Sequence, residues 1–186
     1  MKNDYFEKEE WYTPKDLVNT LLESGKMVFE QDCFLFDLDP ASSRDDNITP
    51  LSKSIFTRED NGLEKSWFGY IFLNPPFTRS RNKEDDVLRQ FIQKAIDHNN
   101  GIVLCLDKPN VQVTGLLREN CSCIVTFRRK LKYTCNSELA KTENMPQYFS
   151  IMYGLGDKAA LHLKKFVELY NQQNSKMGPE YFIHVK

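Results

Sequence analysis

The sequence predicts a single-domain α/β fold: a mostly parallel sheet with helices on both faces and an antiparallel edge strand. Three stretches carry that expectation. Ile102-Val103-Leu104-Cys105-Leu106 is apolar without alternation, the pattern of a strand buried on both faces. Val87, Leu88, Phe91, Ile92, Ala95 and Ile96 recur at helical spacing just before it, which makes an amphipathic helix. Tyr70-Ile71-Phe72-Leu73 comes before that helix. Strand, helix and strand within about forty residues form a crossover between parallel neighbours.

The other elements follow in order. Residues 1–10 are mostly polar and charged and are expected to fray, leaving a domain from 11 to 186. Thr13 reads as a helix N-cap with Pro14 at the first helical position and Asp16 in the first turn. Leu17, Val18, Leu21 and Leu22 form the apolar stripe, and Gly25 is the expected stop. Cys33-Phe34-Leu35-Phe36 is a buried-strand candidate ending in Asp37-Leu38-Asp39-Pro40. Ser54-Ile55-Phe56-Thr57 is a short second strand, and Arg58 to Gly62 reads as a turn. Trp67 is expected to pack under the strand at 70–73. Glu84-Asp85-Asp86 opens the amphipathic helix and Asn99-Asn100-Gly101 closes it. Residues 110 to 119 read as a further helix, Ser122 to Phe127 as a strand, and Tyr148 to Tyr153 as the antiparallel edge strand. From Asp157 to about 174, Leu163, Phe166, Val167 and Tyr170 share one stripe of a helix that completes the core or serves as a dimer face.

Totals bound the function. A chain of 186 residues, 40% hydrophobic and 27% charged, is an ordinary globular domain. Its net charge of −1 gives no overall attraction to nucleic acid, so such contact requires a local basic patch. No apolar run approaches the ~20 residues that span a bilayer, and Met1-Lys2-Asn3-Asp4 does not open a signal peptide. A cytoplasmic protein is expected. The five cysteines include no Cys-x-x-Cys and the three histidines are scattered, so no metal site is expected and the thiols read as structural.

The chemistry centres on Asn74-Pro75-Pro76-Phe77. Neither proline can donate to a sheet ladder, so the strand must end at Asn74, where open α/β sheets bind ligands. An exocyclic amine on a nucleobase is a poor nucleophile because its lone pair is delocalised into the ring. If the Asn74 side-chain oxygen and the Pro75 carbonyl each accept one of its N–H groups, the nitrogen is drawn toward tetrahedral geometry and the lone pair turns toward an electrophile. Phe77 offers a face on which the base can stack.

Four stretches together resemble one family: Trp11-Tyr12-Thr13-Pro14 before a helix, Phe36-Asp37-Leu38-Asp39-Pro40-Ala41-Ser42, Gly62-Leu63 with Trp67, and Asn74-Pro75-Pro76-Phe77. In this order and spacing they are similar to the phage-type DNA N6-adenine methyltransferase (Dam-like) family, over roughly residues 9 to 154. The C-terminal helix lies outside the likeness. The resemblance implies a Rossmann-like class I methyltransferase that moves a methyl group from S-adenosylmethionine to adenine N6 in double-stranded DNA. The adenine would be flipped out of the helix, in a bacterial cytoplasm and from a phage or prophage gene.

On this resemblance Trp11, Tyr12, Thr13 and Pro14 close over the cofactor. Asp37, Asp39, Pro40 and Ala41 lie where its ribose hydroxyls or methionine ammonium would sit, with Asp37 and Asp39 on one side of the strand and equally eligible. Asp60 would reach the adenine edge, or is a solvated turn carboxylate. The Gly-x-Gly loop common in methyltransferases is absent, and Asp107-Lys108 departs from the family's Leu-x-Pro-small pattern. Both would touch the target base or its phosphate, or cap the next helix. Arg79, Arg81 and Lys83 after Phe77, and Arg128, Arg129 and Lys130 in a run leading to Tyr133, are the candidate phosphate contacts. An RNA base or a protein glutamine as acceptor, and a non-catalytic nucleic-acid-binding or phage interaction protein on the same fold, are the alternatives.

Overall fold

The computed structural model describes residues 12–42, 50–76, 86–107, 112–133 and 148–173, and the backbone of 182–185. The elements in chain order are α1 (Lys15–Phe29), β1 (Phe36–Asp39), β2 (Ser52–Ile55), β3 (Ile71–Leu73), α2 (Val87–His98), β4 (Gly101–Leu106), α3 (Gln112–Asn120), β5 (Cys123–Thr126), β6 (Ser150–Leu155), α4 (Asp157–Gln173) and β7 (Phe182–Val185). Among the described residues the strands make one seven-stranded sheet in the order β2-β1-β3-β4-β6-β5-β7.

The β1–β2, β1–β3 and β3–β4 pairings are parallel. The β4–β6, β5–β6 and β5–β7 pairings are antiparallel. The strand expected at the edge from Tyr148 to Tyr153 is therefore internal, running between β4 and β5 as Ser150–Leu155. All six of its residues are buried, which an edge position would not give. The antiparallel edge strand is instead β7, so half of the neighbour pairings, rather than most, are parallel.

Helices do cover both faces. Leu17 and Leu21 of α1 and Leu163, Phe166 and Tyr170 of α4 pack with Phe36, Phe72, Ile102, Leu104 and Val125 on one side of the sheet. Leu88, Phe91, Ile92 and Ala95 of α2 and Val113 and Leu117 of α3 pack with Leu73, Val103, Cys105 and Ile151 on the other. The alternation of β-strand side chains divides the two cores. Helix α4 completes the first core: Tyr170 Oη donates to Asp16 at 2.9 Å and Thr20 Oγ1 donates to Gln173 at 2.9 Å.

Local boundaries follow partners more than propensity. Helix α1 begins at Lys15, with extended Pro14 as its cap (φ −55°, ψ 138°) and no side-chain capping bond; the expected cap, Thr13, is one residue too far out. The helix also runs through Gly25 and stops at left-handed Glu30 (φ 52°). Gly25 is there for room, because a Cβ would collide with the Phe34 ring. β1 starts at Phe36, later than its apolar run suggests, because Phe34 is drawn into an aromatic cluster with Phe29 at 5.2 Å. The two acids Asp37 and Asp39 are consequently strand residues. Helix α2 begins as its acidic cluster predicts, with Asp86 accepting from Arg89 N–H. Trp67 joins the core beside β3 and stacks on Phe91 at 6.1 Å.

Candidate active site

Strand order reverses between β1 and β3: the chain leaves β1 for β2 on one flank and returns as β3 on the other. Ligands of open α/β sheets enter at such a point, above the carboxyl ends of the strands. Leu38 pairs with Ile71, and both chains leave the sheet at its carboxyl edge, β1 into the turn at Pro40-Ala41 and β3 into Asn74. Both prolines follow outside the ladder, Pro75 buried and Pro76 exposed.

Asn74 is half-buried, and its Nδ2 donates to Thr13 Oγ1 at 3.4 Å. The side-chain oxygen at the other end of the amide is buried and accepts no hydrogen bond among the described residues. Thr13, expected to cap α1, thus turns to the sheet edge and meets Asn74 across 61 positions of sequence. Buried Pro14 anchors this turn, its carbonyl accepting Val18 N–H at 3.0 Å, and half-buried Tyr12 precedes it. A neutral hydrogen bond of this kind is worth ~0.5–1.5 kcal/mol net. Thr13→Val is accordingly expected to lower turnover roughly two- to tenfold with the affinity for the acceptor little changed, and Thr13→Ser to restore it. Equal turnover in all three proteins would show that the hydroxyl does not hold the amide.

The two equally eligible acids prove different. Asp37 Oδ2 accepts Tyr70 N–H at 2.8 Å and Oδ1 accepts Lys53 Nζ at 2.9 Å. Burial would raise its carboxyl, but the Tyr70 N–H and the Lys53 ammonium outweigh it and hold the group below the usual aspartate value. Asp37 therefore braces the entry to β3, and left-handed Gly69 (φ 65°) leaves it room. Asp39 stands at the carboxyl end of β1, where it accepts Ala41 N–H at 3.1 Å. Some of the residue is exposed, yet its carboxyl is enclosed, and burial pushes it up to about 7 against the hydrogen bonds from Ala41 and Ser42. A carboxyl perturbed in this way is a candidate for a functional site.

Asp60 Oδ2 accepts both Thr57 N–H at 2.9 Å and Thr57 Oγ1 at 2.7 Å, closing the turn after β2. That turn lies against β1: Ser42 N–H and Phe56 N–H bond to the carbonyls of Phe56 and Asp39, and a Cβ on Gly62 would strike the Pro40 carbonyl. Lys94 of α2 holds the turn from below, donating to the carbonyls of Gly62 (3.2 Å), Leu63 (2.7 Å) and Lys65 (2.5 Å) with its ammonium over the Trp67 ring. Trp67 Nε1 adds a bond to Gly62 O at 2.8 Å. Lys94 was not foreseen, since a lone Lys on a helix reads as solvated until a loop is found beneath it.

Asp107, just past β4, accepts Arg118 Nη2 at 3.0 Å, an ion pair with the last turn of α3 rather than the expected cap at its start. The basic run follows β5. Phe127, Leu131 and Tyr133 are buried in the core while Arg128, Arg129 and Lys132 are exposed and Lys130 is half-buried. The apolar members pin the run, so the cations project outward. Since β5 points the same way as β3, they share the carboxyl edge with Asn74, three strand spacings or roughly 14 Å across. Trp11, Phe77, Arg79, Arg81, Lys83 and Lys108 lie outside the described residues.

One residue on this edge escaped sequence reasoning. Phe149 reads as part of a strand, but β6 begins after it and the residue is 44% exposed; nothing in Tyr148-Phe149-Ser150 signals a boundary. Among the described residues no cluster of three or more His, Cys, Asp or Glu is able to hold a metal ion, and no helix is long and apolar enough to cross a membrane.

Compared with known proteins, the chain matches the family model described as DNA N-6-adenine-methyltransferase (Dam) over residues 2–130. No curated protein and no solved structure matches it. The matched span holds Asn74, Thr13, Asp39 and the turn that lies against β1, and it covers more than half of the 186 residues: the chain belongs to the Dam family of DNA N6-adenine methyltransferases.

Proposed function

We propose that this protein is a Rossmann-like class I methyltransferase that transfers a methyl group from S-adenosylmethionine to N6 of an adenine flipped out of double-stranded DNA. The observation carrying the proposal is the placement of Asn74 at the carboxyl end of β3, beside the switch point, with its amide nitrogen bonded to Thr13. With the nitrogen bonded to Thr13, the buried amide oxygen is the end that would accept from an amine. The Pro75 carbonyl, fixed by the diproline, is the second acceptor.

The crevice suits the cofactor. Asp39 offers an enclosed carboxyl for an ammonium or ribose hydroxyl, the glycine at 62 lets the turn close on Pro40, and Ala41 and Ser42 are small. Asp37, already bonded to Lys53 and Tyr70 N–H, supports the crevice from behind, and Asp60 shapes its rim through Thr57. Tyr12, Thr13 and Pro14 form the opposite wall. Bound there, S-adenosylmethionine supplies an electrophilic methyl on a sulfonium, a chemistry the protein need only position.

Asn74 and Pro75 hold the two N6 hydrogens, so the nitrogen lone pair is directed at the methyl carbon. Bound in the crevice, the donor would supply a sulfonium methyl, with the S–C bonding pair staying on sulfur as the nitrogen takes the carbon. The methylated nitrogen is cationic and releases a proton to water, so no side-chain base is required. Arg128, Arg129 and Lys130 hold phosphates of the flanking strand.

The test is transfer of a labelled methyl group from S-adenosylmethionine to duplex DNA, to RNA and to protein in parallel. Label in N6-methyladenine of DNA is the expected result. Label only in RNA or in glutamine moves the acceptor, and the absence of both transfer and cofactor binding would leave a scaffold. A second expectation concerns pH. If the ionised Asp39 carboxyl receives the cofactor, its proton must leave first, so affinity should strengthen roughly tenfold between pH 5.5 and 7. Asp39→Asn should bind more weakly and without that dependence. Titration calorimetry at the two pH values decides it, and a flat wild-type profile would remove Asp39 from the contact.

A further inference from the structure

We propose that Phe149 is a DNA-stacking residue that props the duplex beside the flipped adenine, working with the cations at 128–132. The inference rests on the DNA reading above and concerns a residue which that reading does not use. Two aromatic rings are exposed among the described residues, Phe68 and Phe149. Phe68 precedes β3 and so lies at the amino edge of the sheet. Phe149 lies at the carboxyl edge, with Asn74.

Its backbone is fixed from both sides. Asp107 N–H donates to the Phe149 carbonyl at 2.7 Å, and Ser150, paired with Leu106 in the sheet, shares a 2.9 Å hydrogen bond with Tyr133 at the end of the basic run. An exposed ring on a rigid backbone keeps its apolar face in water, an arrangement that monomeric surfaces tolerate singly and binding sites use. The neighbours are charged: exposed Arg128, Arg129 and Lys132 follow β5, the strand on the far side of β6. A ring flanked by cations is the combination that binds bases and phosphates together.

Distance fixes the role. Leu73 pairs with Val103, so Asn74 stands level with Leu104, whereas Phe149 stands level with Asp107, three residues higher. Three residues of rise are ~10 Å and two strand spacings are ~10 Å. Phe149 is therefore roughly 14 Å from Asn74, beyond the reach of its ring to the reacting amine. What it can meet is the stack from which the target base has left. A ring entering that step would offset part of the unstacking cost.

The test uses the full chain and fluorescently labelled mixed-sequence duplexes, one fully paired and one with a single mismatched adenine, followed by anisotropy across a salt series. Phe149→Ala is expected to weaken binding to the mismatched duplex about tenfold, and that to the paired duplex less, while Phe149→Tyr stays near wild type. The salt slope should be unchanged in Phe149→Ala but fall by roughly two in the Arg128→Ala, Arg129→Ala double variant. Cofactor affinity and the melting temperature serve as controls. Equal affinity of Phe149→Ala and wild type overturns the stacking role and leaves the DNA reading standing. A loss shared by Phe149→Tyr and by cofactor binding overturns it too, since the residue would then be structural. Failure of the wild type to bind either duplex at low salt overturns the DNA reading and this inference together.

Discussion

Asn74→Ala is expected to lower methyl transfer by about 10²–10³-fold, the loss seen when one preorganised hydrogen-bonding group is removed from a reacting centre. The size follows from what the amide does in the proposed mechanism. It binds the amine more strongly as the lone pair localises, so its contribution is realised in the transition state and appears in kcat more than in KM. Cofactor affinity and thermal stability should change little, because Asn74 is half-buried at a strand end and Thr13, which accepts from its amide, is solvated in part. Asn74→Asp retains an acceptor oxygen and should keep more activity than alanine. Turnover unchanged in Asn74→Ala would remove the mechanism, and collapse of cofactor binding in the same variant would reassign the residue to the cofactor.

The second large effect is on stability and centres on His162, away from the crevice. The ring is buried in an aromatic cage with Phe34 at 5.2 Å and Phe36 at 5.6 Å. Its Nε2 faces the Leu21 carbonyl at 2.8 Å and must carry the proton, so Nδ1 accepts from Tyr70 Oη at 3.1 Å. Burial depresses the imidazole from 6.5 to about 4, outweighing the Leu21 carbonyl. The unfolded chain takes up a proton near pH 6.5 and the folded chain only near 4. Stability from this group is thus complete above 6.5 and is lost as the pH falls toward 4, by about 3 kcal/mol in all. Asp39 works in the opposite sense, since its raised carboxyl lets the folded chain hold a proton up to about 7. Comparing wild type with His162→Gln cancels that contribution. Denaturant unfolding at pH 7 and pH 4 should show the stability gap between the two proteins shrinking as the pH falls, and parallel profiles would show that the imidazole does not sense the transition.

Where local chemistry is unambiguous, the sequence already describes the structure. Two prolines after Leu73 stop β3 where the ladder stops, and Asp86 with Asn99 bounds α2 because a cap is a contact between near neighbours. The reading failed where distant partners decide. Thr13 has the side chain of an N-cap, but Asn74, brought up from far along the chain, engages the hydroxyl. Gly25 looks like a stop and is a gap left for Phe34. Asp37 and Asp39 are indistinguishable by spacing, and only the Tyr70 N–H and Lys53 reaching Asp37 separate them. Burial of Ser150–Leu155 was legible as a strand, but its neighbours were not, because a one-dimensional apolar pattern is the same in any slot of a sheet.

The slot taken by β6 bears on how the molecule is made. Within the sheet β4 and β5 are joined through β6, a strand that leaves the ribosome later than either, so an emerging chain ending near residue 130 presents two apolar strand flanks with nothing between them. Chaperone dependence and premature aggregation of nascent fragments should be concentrated in that interval of synthesis, and should fall as first β6 and then α4 clear the exit tunnel.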